Sequence, residues 1–294
     1  MTAPIDTQLD ELERQYPDWK PWLAVIEEVV QESTDPKWDS FVSMPSPALS
    51  KSVPLLSGAT LVFDMNFVRS WTRRLMSTAY RTGTPNMATL KLMTAGRLDP
   101  SGLFKASLCQ EIKRLRETAV ELGVDPDALQ AVAILVPVPF LHACRRRWAS
   151  SRAESWAETY CPLCGAWPAF GEVRGIERSR YLRCGRCGGG WQVHCLLCPY
   201  CGMTDHNELV SLVPERSGST SVIEACKRCL GYVKTFTTLQ GNPAAKVIVE
   251  DLASVHLDIA AVEQGYKRPE GPGYAVDVTL LEQPRLKRIF PWSA

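Results

Sequence analysis

Cysteine is the residue type through which this sequence could do chemistry. Of its 11 cysteines, nine lie between Cys161 and Cys229. Eight of these nine form four C-x-x-C pairs, Cys161/Cys164, Cys184/Cys187, Cys198/Cys201 and Cys226/Cys229. Two intervening residues let a tight turn aim both sulfurs at one point. A glycine follows the second cysteine of the first three pairs, and glycine accepts a positive φ without steric cost.

The pairs are spaced as in four-sulfur metal sites. Nineteen residues separate the first pair from the second, and 24 separate the third pair from the fourth. Because only ten residues lie between Cys187 and Cys198, the two sites must be neighbours. An interleaved pairing is also open, and both zinc and a rubredoxin-like single iron suit four thiolates. The simplest arrangement is sequential, with Cys161, Cys164, Cys184 and Cys187 binding one ion and Cys198, Cys201, Cys226 and Cys229 binding another.

Closed sites of four thiolates usually stabilise a fold rather than catalyse a reaction. Small hairpin modules bury little apolar surface, so the energy of metal binding is effectively their folding energy. The sequence shows no nucleophile with a base and no phosphate-binding loop. We therefore predict no catalytic residues, no further cofactor and no enzymatic activity.

The remaining cysteines and the histidines are predicted to be packed or surface residues. Cys195 follows His194, but neighbouring side chains of an extended strand point to opposite faces, so we expect the two not to meet. Cys109 and Cys144 fall on apolar helix faces and are predicted to lie in the core. The sequence also contains isolated histidines that are not predicted to bind metal: His142, His206 and His256.

Charge and hydropathy limit the partners. The 33 basic and 32 acidic residues nearly cancel, so no global field attracts nucleic acid or membranes. Residues 157–265 carry ten basic and eleven acidic residues, and two divalent ions in thiolate sites would bring their formal charge to −5. A phosphate-binding module should instead be basic. With neither a signal-peptide pattern nor a run of 18 apolar residues, we expect a cytoplasmic protein that does not insert into membranes.

Helical periodicity dominates residues 1–156, and short β-prone runs follow. The pattern predicts helices over 19–33 and 63–80, one continuous helix from Asp99 to Gly123, and a helix after Asp125 that Pro137 and Pro139 break. Two hairpins are predicted, one over 173–184 and one over 208–226 with its turn at 216–219, and a strand leading into a helix over 246–265. The predicted domains are a helical domain (1–156), two metal modules (157–194 and 195–266, the second with a C-terminal helix) and an irregular tail (267–294).

The cysteine region resembles a known family. The matching stretches are CPLCGAWP (161–168), RYLRCGRCGGGW (180–191), CPYCG (198–202), CKRCLGYVK (226–234) and EDLASVHLDIAAVEQGY (250–266). They are similar to the bacterial formate dehydrogenase accessory (FdhE) proteins. At the position of Cys195, those proteins usually carry arginine.

The resemblance implies a fold and a function. The expected fold is α with small β parts: a helical N-terminal domain followed by two rubredoxin-like or zinc-ribbon modules and a C-terminal helix. The expected function is cytoplasmic binding of the catalytic subunit of respiratory formate dehydrogenase before its twin-arginine export, by a protein that is not an enzyme and can carry iron. The alternative is a rubredoxin-like redox or sulfur-handling protein, for which Cys195 is the extra thiol. A zinc-ribbon nucleic-acid binder fits the charge less well.

Overall fold

The computed structural model of the 294-residue chain describes residues 4–43, 52–97, 99–151, 156–213 and 220–283. Its first half is helical, as predicted, and its second half contains a six-stranded sheet. The helices of the first half are α1 (Ile5–Gln15), α2 (Lys20–Glu32), α3 (Met65–Thr82), α4 (Pro85–Ala88), α5 (Pro100–Leu108), α6 (Ile112–Leu122), α7 (Pro126–Ala133) and α8 (Val138–Arg147). One strand, β1 (Ala59–Phe63), lies among them.

Aspartate caps set the start of three helices. The side chains of Asp64, Asp99 and Asp125 each accept a hydrogen bond from the backbone N–H two residues later, at 2.9, 3.0 and 3.1 Å. Each cap satisfies a donor that the first helical turn leaves without a partner. At the C-terminal end of α6, Gly123 takes the left-handed conformation that terminates helices. The predicted helix stop at Gly123 is confirmed.

The continuous helix predicted between Asp99 and Gly123 is wrong. The helix is interrupted after α5, where Gln110 has a φ of +59°. The carbonyl groups that end α5 instead receive the guanidinium of Arg186, which donates to the oxygens of Ser107 (2.6 Å) and Leu108 (3.3 Å). The first cysteine region thus adds side-chain donors at the end of α5, where the N–H of Gln110 also donates to Ser107, and local sequence pattern carries no sign of this contact.

The predicted break is confirmed at Pro137, because α7 ends at Ala133 and α8 begins at Val138, whereas Pro139 lies in the first turn of α8. Within the described residues, the run Pro126–Arg147 is the one helical stretch whose length and apolar composition would suit a bilayer. The structure buries 78% of its most apolar window, as the core of a folded domain does.

The sheet joins the two halves of the cysteine region. Its order is β4-β3-β2-β7-β6-β5, and every neighbouring pair is antiparallel except β2 with β7. The hairpins β2–β3 and β5–β6 are confirmed, while the turn predicted at 216–219 lies outside the described residues. The strands are β2 (Phe170–Arg174), β3 (Ser179–Arg183), β4 (Gly190–Gln192), β5 (Leu209–Leu212), β6 (Ser221–Cys226) and β7 (Tyr232–Thr238).

The strand predicted at the start of 246–265 is wrong. A 3₁₀ turn (Ala244–Lys246) leads directly into α9 (Val247–Ala253), and α10 (Val255–Glu263) follows. Val247 and Val249 are fully buried in this helix, so packing against the core overrides the β-propensity of valine. The predicted helix end at Gly265 is confirmed, since α10 ends at Glu263 and Gly265 has a φ of +85°.

Part of the tail predicted to be irregular is regular. Residues Val278–Glu282 form β8, which pairs in parallel with β1 so that Val278 lies opposite Ala59. Before it, the backbone N–H of Tyr274 donates to the carbonyl oxygen of Gly165 at 2.8 Å. The tail therefore runs along the first cysteine region and returns to the helical half.

Candidate metal centres

The first group of cysteines is fully buried. The Sγ atoms of Cys161 and Cys187 lie 3.5 Å apart, as do those of Cys164 and Cys184. All four sulfurs lie within 4.8 Å of one another, and none of the four residues is more than 1% exposed. A tetrahedral ion with sulfur ligands at about 2.3 Å would hold them about 3.8 Å apart. This group, the first centre, could hold a metal ion.

Tight backbone turns aim these sulfurs. The N–H of Gly165 donates to the carbonyl of Cys161, and that of Gly188 to the carbonyl of Cys184, both at 2.9 Å. Backbone N–H groups also point at sulfur: that of Leu163 lies 3.4 Å from Cys161 Sγ. Such hydrogen bonds stabilise thiolate charge and orient the ligand.

The helical half holds the first centre in place. Besides the contact of Arg186 with the end of α5, the N–H groups of Leu55 and Leu56 donate to the carbonyls of Pro162 (2.9 Å) and Leu163 (3.0 Å). The four cysteines belong to the same apolar core as the helices, which contains Trp38, Phe104 and Phe140. The first centre therefore lies at the joint between the helices and the sheet.

The second group of cysteines is partly open to solvent. Cys198 and Cys229 have sulfurs 3.6 Å apart, and those of Cys201 and Cys226 are 3.7 Å apart. Cys198 and Cys226 are buried, Cys229 is half-buried and Cys201 is exposed. The four sulfurs also lie within 4.8 Å of one another, so this group, the second centre, could hold a second ion.

A buried charge network lies behind the second centre. Lys234 of β7 is 0% exposed, and its Nζ lies 2.7 Å from carboxylate oxygens of both Asp251 and Asp258. Arg268 contacts the same two carboxylates, and the Tyr232 hydroxyl donates to Asp258 at 2.8 Å. Burial alone raises the pKa of Asp258, but Arg268 and Lys234 outweigh it and lower that pKa. The network fixes α9, α10 and the tail against the sheet, and the sequence analysis missed it.

Cys195 lies outside both groups. The reason given for keeping it apart from His194 is wrong, since β4 ends at Gln192 and neither residue is in a strand. Both side chains are exposed, and the Cys195 sulfur lies 3.9 Å from the carbonyl oxygen of Arg178. Cys195 also lines a cavity of about 120 Å³ that reaches the second centre at Cys198 and Cys226.

A buried arginine forms part of this cavity. Arg180 is 3% exposed, and its guanidinium donates to Glu224 at 2.5 Å and to the carbonyl of Leu197 at 2.9 Å. The sequence analysis missed this pair because its members lie on strands of different hairpins, and no local spacing connects them.

The other cysteines and one histidine are core residues, as predicted. Burial raises the pKa of the Cys109 and Cys144 thiols and lowers the pKa of His142 to about 3. All three side chains are therefore uncharged at neutral pH. His206 and His256 are exposed, and neither belongs to a candidate metal group of the described residues.

Comparison with known proteins finds a family and several relatives that match part of this chain. Residues 193–272 match the family described as FdhE, C-terminal domain. A "Protein FdhE homolog" from Aquifex aeolicus is 30% identical over 166 residues, which cover 55% of this chain and 57% of that protein. A homolog from Pseudomonas aeruginosa is 34% identical over 121 residues, 39% of each chain. The chain thus matches 57% of the length of the first relative and 39% of the length of the second.

A solved structure extends the similarity to the whole fold. The crystal structure of the FdhE protein from Pseudomonas aeruginosa covers 92% of this chain, and 93% of its own length is matched, with a TM-score of 0.58 at 22% identity. The matched part of this chain includes the helical half and the sheet-containing half, which confirms the predicted fold class. The resemblance seen in the sequence is confirmed: residues 193–272 match the FdhE C-terminal domain, and the fold is similar to that of a solved FdhE protein.

Proposed function

We propose that this protein is a cytoplasmic accessory factor that binds the catalytic subunit of respiratory formate dehydrogenase before export, and that it is not itself an enzyme. The observation that carries the proposal is the match of residues 193–272 to the FdhE C-terminal domain. The name of that family links its members to formate dehydrogenase.

The eight paired cysteines are proposed as the ligands of two structural metal ions. Their geometry supports two sets of four, in the sequential pairing. Four thiolates fit zinc or a single iron, and either ion would leave no open coordination position for substrate. Metal chemistry at a substrate is therefore not part of the proposed role.

An exposed apolar pair gives the proposed binding role a testable surface. Ile176, in the β2–β3 turn, is 97% exposed, and Leu239, after β7, is 84% exposed. The two turns are neighbours, because the N–H of Gly175 donates to the carbonyl of Thr238 at 3.0 Å. Exposed apolar groups that lie together are typical of protein-binding surfaces.

Affinity capture tests the proposal. The full chain is used as bait in cells that contain formate dehydrogenase, and the catalytic subunit should be enriched. Ile176→Glu with Leu239→Glu should reduce capture, whereas Val120→Glu, at a 71% exposed valine of α6, should not. Absence of the catalytic subunit from the wild-type capture would contradict the proposal. Equal capture by all variants would exclude only this surface.

A redox or sulfur-handling role is the second candidate. It is favoured by the exposed thiol of Cys195 beside a cavity that reaches two cysteines of the second centre. Visible spectra and metal analysis of anaerobically prepared protein test it. Colourless, zinc-only protein that works normally as Cys195→Ser would exclude this role.

A further inference from the structure

The two centres differ in how far solvent reaches their sulfurs. In the first centre every cysteine is at most 1% exposed, whereas the second centre has one exposed and one half-buried cysteine. Thiolate reactivity toward external reagents follows accessibility. Solvent therefore reaches two cysteines of the second centre, whereas it reaches none of the first.

The turns that hold the sulfurs also differ in how closely other parts of the chain pack against them. A β-carbon built on Gly188, in the first centre, would lie 2.4 Å from the carbonyl oxygen of Ala244, and one on Gly165 equally close to that of Tyr274. At the corresponding Gly202 of the second centre, no atom lies within 4 Å. Packing thus opposes opening of the first centre at both turns, whereas Gly202 of the second centre has no such backbone neighbour.

The cavity beside Arg180 gives the second centre another open side. It is lined by Cys198 and Cys226, the two cysteines of this centre that are shielded from bulk solvent. A donor atom of an external molecule can thus approach the second centre beside Cys198 or beside Cys226, which belong to different C-x-x-C pairs. The first centre adjoins a space of only about 10 Å³, which is no more than one water needs.

We infer that the second centre is an exchangeable metal site, whereas the first keeps its ion as long as the protein is folded. The acceptor is a small thiol or chelator. One of its donor atoms binds the ion as the bond to Cys201 Sγ breaks. Further donor atoms then replace Cys229, Cys198 and Cys226 in turn, and the ion leaves bound to the acceptor. The charge of the ion does not change, and each released thiolate keeps its electron pair and takes up a proton from water. The inference rests on the proposed ligands and is independent of the formate dehydrogenase client.

Chelator competition on the full chain tests the inference. Cys195→Ser protein is loaded with two zinc ions and mixed with 4-(2-pyridylazo)resorcinol, which reports released zinc by colour. One equivalent should leave rapidly and the second only after denaturant is added. Using Cys195→Ser removes the exposed thiol that is not a ligand.

Thiol labelling then assigns the released ion. After the rapid phase, N-ethylmaleimide should modify Cys198, Cys201, Cys226 and Cys229 and leave the first centre unmodified. Adding Cys201→Ser should abolish the rapid phase and keep the slow equivalent, so the assignment does not depend on a variant of the buried centre. Release of both ions at one rate, or labels on Cys161 or Cys164, would overturn the inference alone. A folded protein that takes up no zinc would also overturn the ligand assignment.

Discussion

The residue after the second cysteine has a positive φ in all four pairs. The angles are +70° at Gly165, +68° at Gly188, +71° at Gly202 and +57° at Leu230. Glycine accepts this conformation freely, whereas a residue with a β-carbon pays about 1 kcal/mol or more. The turn therefore imposes the conformation even where the sequence does not supply glycine.

Comparing two of these glycines separates backbone strain from packing. Gly202→Ala meets no neighbouring atom, so it should lower the free energy of unfolding by only about 1 kcal/mol. Gly188→Ala adds a clash with the backbone of Ala244, which typically costs a further 1–3 kcal/mol or so. Urea denaturation of the metal-loaded proteins measures both losses. Equal losses would show that the approach of Ala244 does not matter.

The candidate metal ligands could be predicted from the sequence because each pair is a local motif. Two residues between cysteines and a following glycine describe one turn, and the turn needs no distant partner. Lys234 shows the opposite case. Its partners Asp251 and Asp258 lie on helices that follow the strand, and nothing in the spacing indicates that a buried lysine will meet two carboxylates there. The environment of Cys195 was misjudged because the end of β4 at Gln192 has no sequence marker.

At the scale of elements, the sequence predicts what local signals determine. Aspartate caps and Pro137 placed the boundaries of α5, α7 and α8. Three features depend on tertiary contact instead: the break at Gln110, the helical state of 247–253 and the strand β8. Five residues of β8 form a strand because β1, far earlier in the chain, offers them an edge.

Two neighbouring residues of β8 test its role. Val278 is 1% exposed, whereas Thr279 is exposed, since successive side chains of a strand point to opposite faces. Val278→Asp places an unpaired carboxylate in the core and should cost more than about 2 kcal/mol of stability. Thr279→Asp should change stability by less than about 0.5 kcal/mol. Thermal unfolding monitored by circular dichroism distinguishes them, and similar melting temperatures would contradict a structural role for β8.

At the scale of the whole molecule, the proposed modules are not isolated units. Strands β2 and β7 pair in parallel, so one sheet spans both cysteine centres. The first centre also shares a single apolar core with the helices. The helical half and the first centre should therefore unfold together, while the second centre, outside that core, can lose its ion alone.

Urea unfolding with two probes tests this cooperativity. In the zinc-loaded chain, the helical signal at 222 nm should fall together with release of the ion from the first centre, because opening that centre exposes the core beneath α5 and α8. Cys201→Ser protein, which should carry only this ion, is expected to show the same midpoint for both probes. Its helical midpoint should also stay close to that of wild type. If the helical signal persisted after both ions had left, the first centre would be an appendage of the helical half rather than part of its core.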